Sequence, residues 1–147
     1  MRAVWAAYTR AGTFISNQSG NSLFAGMLPT GGSVFDLRCL YDEYRKRFFI
    51  VGLANGSEEG HGRLLIAVSQ SENPADGWYR YWHPQPSGPD APAGGMDYPS
   101  IGIGADTLYV TYGVSGRSVL VVDPADLMAQ RYVSTTLRHS SFEFSEV

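Results

Sequence analysis

Two aspartates open matching stretches of this chain: Asp36 in "FDLRCLYDEYRKRFFIVGLA" and Asp97 in "MDYPSIGIGADTLYVTYGVS". Carboxylates repeated at one position could gather a hard cation such as calcium, or sugar hydroxyls. The plainer reading is that each caps its own strand by accepting backbone N–H bonds. No EF-hand loop accompanies them, so no cofactor is assigned and calcium stays a bare alternative. With Asp42 and Asp106 they also offer the residue types of a glycosidase, whose two carboxylates must stand roughly 5–10 Å apart across a cleft. No spacing in the sequence sets such a separation, and no cluster of arginines that would seat a sialidase substrate stands out.

Other chemistry is thinner. His61, His83 and His139 lie far apart, without the Cys or Glu neighbours of a metal site. His61 sits with Glu58-Glu59 in a polar loop, "NGSEEGHG", which reads as a solvated tip. No Gly-x-Ser-x-Gly elbow is present. Ser69, Asp76 and His83 make a triad only if the turn between them is ignored. Cys39 is the single cysteine, so no intrachain disulfide forms. It falls in an apolar run and is expected to pack as a small hydrophobe. Aromatics are the richer resource: Tyr79, Tyr81, Trp82, Tyr98 and Tyr112 could stack on sugar rings or fill a protein interface. In "WYRYWH", alternation puts Trp78, Arg80 and Trp82 on one face and Tyr79, Tyr81 and His83 on the other.

Strands must position these side chains. The chain has 147 residues, with 44% hydrophobic and 13% aromatic residues and 17 glycines. That is one domain by length, with a composition that favours strands. Period-2 stretches between turn signals predict strands at 3–9, 12–16, 22–28, 36–41, 47–54, 63–69, 78–83, 99–103, 107–113, 117–123 and 131–137. Only "DPADLMAQ" (123–130) has helical character, with Asp123 as cap and Pro124 in the first turn. A net charge of −3 speaks against a nucleic-acid partner. No apolar run approaches the ~18 residues of a membrane span. The stretch "MRAVWAAYTRAG" is too short and interrupted for a signal peptide.

The chain also repeats itself. Residues 35–54 overlay 96–115 without a gap, and "GRLLIAVS" (62–69) overlays "GRSVLVVD" (116–123). Each unit then reaches an Arg-Tyr pair, Arg80-Tyr81 and Arg131-Tyr132, which reads as a fourth strand. Two four-stranded units about sixty residues apart are the pattern of propeller blades. The expected fold class is therefore all-β, with β-propeller-type four-stranded antiparallel blades: lead-in strands at 1–34, blades at 35–84 and 96–137, and 138–147 as a tail or next strand. In that order Asp36 and Asp97 begin innermost strands at the channel. The stretch "SQSENPADGW" reads as a structural clasp. Pro74 and Gly77 turn the chain, and Asn73 and Asp76 satisfy its amides. Trp78 folds back after the Ser69 turn, burying on the order of 200 Å² against the neighbouring strand.

These stretches, with "AVSQSENPADGW", "DYPSIG" and "LYVTY", resemble a group of bacterial β-propeller proteins whose blades carry Asp-Tyr-Pro and Pro-x-x-Gly-Trp elements; the turn is similar to a degenerate Asp-box of sialidase-like propellers. Asp36-Leu37 stands where the group has Asp-Pro, and Arg47-Phe48-Phe49 where it has Arg-Trp-Phe. The resemblance implies an extracellular or cell-surface setting. The expected function is a binding or scaffolding module for carbohydrate or protein, with Asp36, Asp97, Tyr98, Tyr79 and Tyr81 as ligand contacts. The alternative is a sialidase-like glycoside hydrolase fragment with carboxylates at the channel mouth. Since closed propellers have four to eight blades, self-association or missing blades must complete the ring.

Overall fold

The computed structural model describes residues 3–57, 62–85, 96–113 and 118–138. It is mostly β, in three antiparallel sheets. β1 (Val4–Tyr8) and β2 (Phe14–Ser19) form a hairpin. β3 (Ser33–Asp42), β4 (Arg47–Asn55), β5 (Arg63–Ser69) and β6 (Trp78–Pro84) form a four-stranded meander in chain order. A second meander follows: β7 (Ser100–Ile103), β8 (Leu108–Tyr112), β9 (Ser118–Val122) and β10 (Ser134–Arg138). A short helix, α1 (Gly20–Leu23), joins the hairpin to the first meander, and another, α2 (Pro124–Met128), lies between β9 and β10. The second is the helix expected near Asp123, whose carboxylate accepts from Ala125 N at 2.7 Å.

The first meander is the middle of three layers. Phe49, Val51, Leu53, Leu64, Ile66 and Val68 pack from one face against Leu108, Val110, Tyr112, Leu120 and Val122 of the second sheet. From the other face Ile50, Ala54, Leu65 and Ala67 meet Leu23, Phe24 and Trp5 beneath the hairpin. Burial on both faces is why "FFIVGLA" and "LLIAV" are apolar at nearly every position. Among the described residues the second sheet is covered on one face only, and burial alternates along β8 and β9 although β9 is apolar at Val119 and Val121 as well. Leu108, Val110 and Tyr112 are buried while Tyr109 is 45% exposed.

β3 carries a bulge where Asp36 and Leu37 stand opposite Gly52, between the pairs Phe35↔Leu53 and Arg38↔Val51. Asp36 has a φ of 50°, and Tyr98, just ahead of β7, has a φ of 47°. Their agreement corrects the repeat. The gapless overlay puts Phe49 on Val110 and Val51 on Tyr112. Yet all four side chains point into the same core, so that overlay sets core face against core face. Moving each strand by one residue puts Asp36 on Tyr98, Arg38↔Val51 on Ser100↔Thr111, and Phe49↔Val68 on Tyr109↔Val121, all observed pairs. The units repeat, with a turn between β7 and β8 two residues shorter. A one-residue slip inverts every side chain, but a reference strand that is apolar on both faces does not reveal it.

Three further expectations are corrected. Residues 22–28 are not a strand: α1, capped by Ser19 Oγ accepting from Ser22 N at 3.1 Å, carries the chain under the first meander. Asn17 to Gly20, whose residue types are those of a turn, is instead the end of β2 and the start of α1. Arg131-Tyr132 precedes β10, and the position of Tyr81 in the ladder is taken by Leu137. The loop with Glu58, Glu59 and His61, the turn at Ser115-Gly116, and His139 lie outside the described residues.

Candidate functional site

The hairpin covers only half of the first meander. β2 lies by the Pro74–Asp76 turn, and β1 beside it pairs with no strand but β2 among the described residues. Over β3 and β4 this leaves a groove of about 720 Å³. Its floor is Leu37, Cys39, Phe48 and Ile50, and Trp5, Trp78 and Pro74 close one side. All five residues of β1, from both of its faces, border the groove, which therefore runs along that strand's unpaired edge. The polar groups here are Arg38, Glu72 and Asn73. Cys39 corrects the packing expectation: it is exposed, on the floor of this groove.

The hairpin is held in place by identifiable bonds. Trp5 meets Trp78 edge to face at 5.3 Å, an arrangement that suits the ring quadrupoles. Arg80 donates to Leu23 O at 3.0 Å, filling a carbonyl left open at the end of α1. Arg63 donates to Met27 O at 2.6 Å and lies 4.1 Å over the Trp82 ring, a cation–π contact. Gly20 N donates to Ala3 O at 2.8 Å. Gly20 must be small, since a Cβ there would stand 2.7 Å from Val34 Cγ1.

The turn that ends the groove is closed by its own side chains. Ser69 Oγ, fully buried, accepts from Phe48 N at 2.9 Å and donates to Ser71 O at 2.7 Å, tying β4 to the turn. Asn73 Oδ1 accepts from Ala75 N at 3.1 Å, and Asn73 Nδ2 donates to Asp76 at 3.0 Å. Ser71 Oγ donates to the other oxygen of Asp76. Pro74 is buried, and Gly77 takes a φ of 113°, which a side chain would oppose. Ser69, Asn73, Pro74, Gly77 and Trp78 thus form one hydrogen-bonded unit whose Trp lines the groove.

The other expected site residues fall in two places. Asp36, in the β3 bulge, and Asp97 and Tyr98, just ahead of β7, sit on the edge where β3 and β7 pack together. Asp97 Oδ1 accepts from Tyr98 N at 2.9 Å, and Gly113 N donates to Asp97 O at 2.9 Å; the Tyr98 ring is 70% exposed. Tyr79 and Tyr81 lie half-buried against the core between the meanders. The Tyr81 hydroxyl donates to Leu127 O, and its ring stacks on Tyr132 at 5.6 Å. Burial pushes the pKa of both hydroxyls up, because it disfavours the phenolate. Tyr112 is not an exposed aromatic but is buried in the core.

Asp42 is buried and committed. Burial works against its carboxylate, but the Arg45 guanidinium at 2.7 Å and the Tyr44 and Arg45 N–H groups outweigh it. These partners favour the charged form and hold the pKa below the usual range. Arg45 also donates to Ala105 O, joining the two meanders. Ser69, Asp76 and His83 are each engaged elsewhere, His83 Nδ1 with the Tyr132 hydroxyl at 3.1 Å. No group of three or more metal-ligating side chains occurs among the described residues, and no helix among them is long and apolar enough to cross a membrane. Sequence reasoning missed the groove. The one signal in the residues was a first strand with apolar side chains on both of its faces.

No protein-family model, curated protein or solved structure matches the chain.

Proposed function

We infer that the chain is a β-propeller-type binding or scaffolding module, set outside the cell or at its surface as the resemblance implies. Its partner is a polypeptide that enters the groove beside β1. The observation that carries this reading is an apolar floor lying along an unpaired strand edge. An extended peptide needs both main-chain partners and pockets for alternate side chains.

Supporting the propeller part, the first strands of the two meanders, β3 and β7, pack together, while Tyr132 and α2 lie against Tyr81 between the outer strands. With the corrected repeat Ile50 corresponds to Val110, so the groove lies on the face that, in the second meander, packs against the sheet before it. Carbohydrate, the other ligand class, is the less fitting occupant, because the groove is short of convergent hydrogen-bonding side chains. Of the carboxylates a hydrolase would need, Asp42 is already tied to Arg45.

The test is amide hydrogen exchange with an added peptide of alternating apolar and polar residues, alongside a glycan array. Slower exchange at the β1 amides in the presence of peptide is expected. Glycan binding with β1 unchanged, or no binding of either, overturns the reading.

A further inference from the structure

We propose that the strand entering the groove is the segment Ser141-Phe142-Glu143-Phe144-Ser145 of a second copy of this chain; the proposal rests on the polypeptide-binding reading above. The free edge of β1 sets what must enter. Gly20 N donates to Ala3 O across the hairpin, so the N–H and C=O groups of Ala3, Trp5 and Ala7 face β2. Those of Val4, Ala6 and Tyr8 face the opposite way, as alternate residues of an antiparallel strand do. No strand pairs with that edge among the described residues. The side chains divide in the same rhythm: Ala3 and Trp5 pack towards the first meander, while Val4, Ala6 and Tyr8 are exposed. A strand bonded to Val4, Ala6 and Tyr8 therefore turns every second side chain, those beside Trp5 and Ala7, onto the floor of Leu37, Cys39, Phe48 and Ile50.

The groove continues an interface already made. Leu37, Ile50, Trp5 and Trp78 pack between hairpin and meander and also line the groove, so a third strand beside β1 extends that packing. The sequence supplies a match. Beyond Arg138 it runs "HSSFEFSEV", residues 139–147, which lie outside the described residues. Phe142 and Phe144 stand two apart, alternating with Ser141, Glu143 and Ser145. That gives two large apolar side chains for the two floor positions and polar ones for the solvent side. The same copy cannot deliver them. β10, which ends at Arg138, belongs to the second sheet, and the groove lies on the far face of the first. Packed sheets stand about 10 Å apart, so the layer of the occupant is about 20 Å from β10. From Arg138 to Phe142 the chain spans at most about 14 Å. The segment therefore crosses to another copy.

The experiment uses the full chain, its Phe142→Asp/Phe144→Asp double variant, and a synthetic peptide of residues 139–147. By light scattering the wild type should have a mass that is a whole multiple, twice or more, of 16.1 kDa. The double variant should keep the wild-type circular dichroism spectrum and be monomeric. Cys39, the single cysteine, is exposed on the groove floor and reports occupancy. Added to the double variant at about ten times its Kd, the peptide should slow thiol labelling of Cys39 about tenfold. It should also slow exchange at the Val4, Ala6 and Tyr8 amides and leave those of Trp5 and Ala7, already bonded to β2, unchanged. The same peptide with both phenylalanines replaced by aspartate should do neither. A monomeric wild type, a double variant that stays oligomeric, or a peptide that protects neither Cys39 nor β1 overturns the proposal. If an unrelated alternating peptide protects β1 of the double variant when residues 139–147 do not, only the identity of the strand fails; protection by neither takes the groove reading with it.

Discussion

The two meanders share strand order, strand pairing and a left-handed residue at the same point, yet among the described residues one is buried on both faces and the other on one. Topology is therefore not what makes the first sheet the core. Its place between two layers does, and its composition follows from that place. Burial alternates along β8 and β9 because one face has no neighbour among the described residues. Equivalent residues in the two sheets consequently carry different energetic weight, and substitution at matched positions measures the difference.

The largest contrast is expected between Phe49 and Tyr109, which occupy the same point of the repeat. Phe49 is wholly buried between the sheets, so Phe49→Ala should cost about 3–5 kcal/mol in chemical denaturation. Tyr109 faces outward, and Tyr109→Ala should cost under about 1 kcal/mol. Equal costs would mean that the open face of the second sheet is covered in solution, and would break the comparison.

The turns joining the first two strands of each sheet come next. In the first sheet Asp42 is tied to Arg45 and to two backbone amides; in the second, Gly104 N simply donates to Thr107 O at 2.8 Å. Asp42→Ala should cost about 2–3 kcal/mol, since charged hydrogen bonds are lost and Arg45 is left half-satisfied. The lowered pKa of Asp42 fixes the sign of its pH dependence. Its contribution is in place above the ordinary carboxylate pKa of about 4 and is lost as pH falls through the lowered folded value. Stability curves of wild type and Asp42→Asn should therefore converge on acidification; a gap that persists unchanged at low pH would refute the ionic role.

Glycines sharpen the same contrast. A Cβ on Gly52 would stand 2.6 Å from Leu37 Cδ2, opposite the bulge, whereas one on Gly102 meets nothing within 4 Å. Gly52→Ala should cost about 1–3 kcal/mol through overpacking. Gly102→Ala should be neutral, or stabilise by up to about 1 kcal/mol by restricting the unfolded chain. Melting temperatures for the pair decide it.

Much of this was legible in the residues. Period-2 runs and turn dipeptides place ten of the strands, Asp123-Pro124 places α2, and Ser69 to Trp78 holds a turn in which Asn73 serves a backbone amide as expected while Asp76 accepts from the Ser71 and Asn73 side chains instead. The phase of the repeat was not legible, because "FFIVGLA" is apolar on both faces and matches an alternating strand equally well at odd and even offsets. The stretch 22–28 misled for a related reason: apolar residues that pin a short helix and loop under a sheet look like a strand in composition. The groove left only a faint trace, the apolar side chains on both faces of β1. It lies where no strand pairs with the second edge of β1 among the described residues, and an open edge leaves little residue pattern.

The smallest effect separates the two left-handed residues themselves. Asp36 and Tyr98 both hold a left-handed backbone, at φ of 50° and 47°. Asp tolerates that region because its short side chain bonds locally, while a bulky aromatic does not. Tyr98 keeps the conformation with its ring largely in solvent, so packing of the ring offsets little of the strain. Tyr98→Gly should therefore stabilise the fold by about 1 kcal/mol, and Asp36→Gly by only a few tenths. A Tyr98→Gly variant that is more stable but loses ligand or partner binding would mark the strained aromatic as a contact residue, as its place beside Asp97 suggests. A variant that is less stable would mean the ring is covered by something in solution, and would move attention from the groove to this edge.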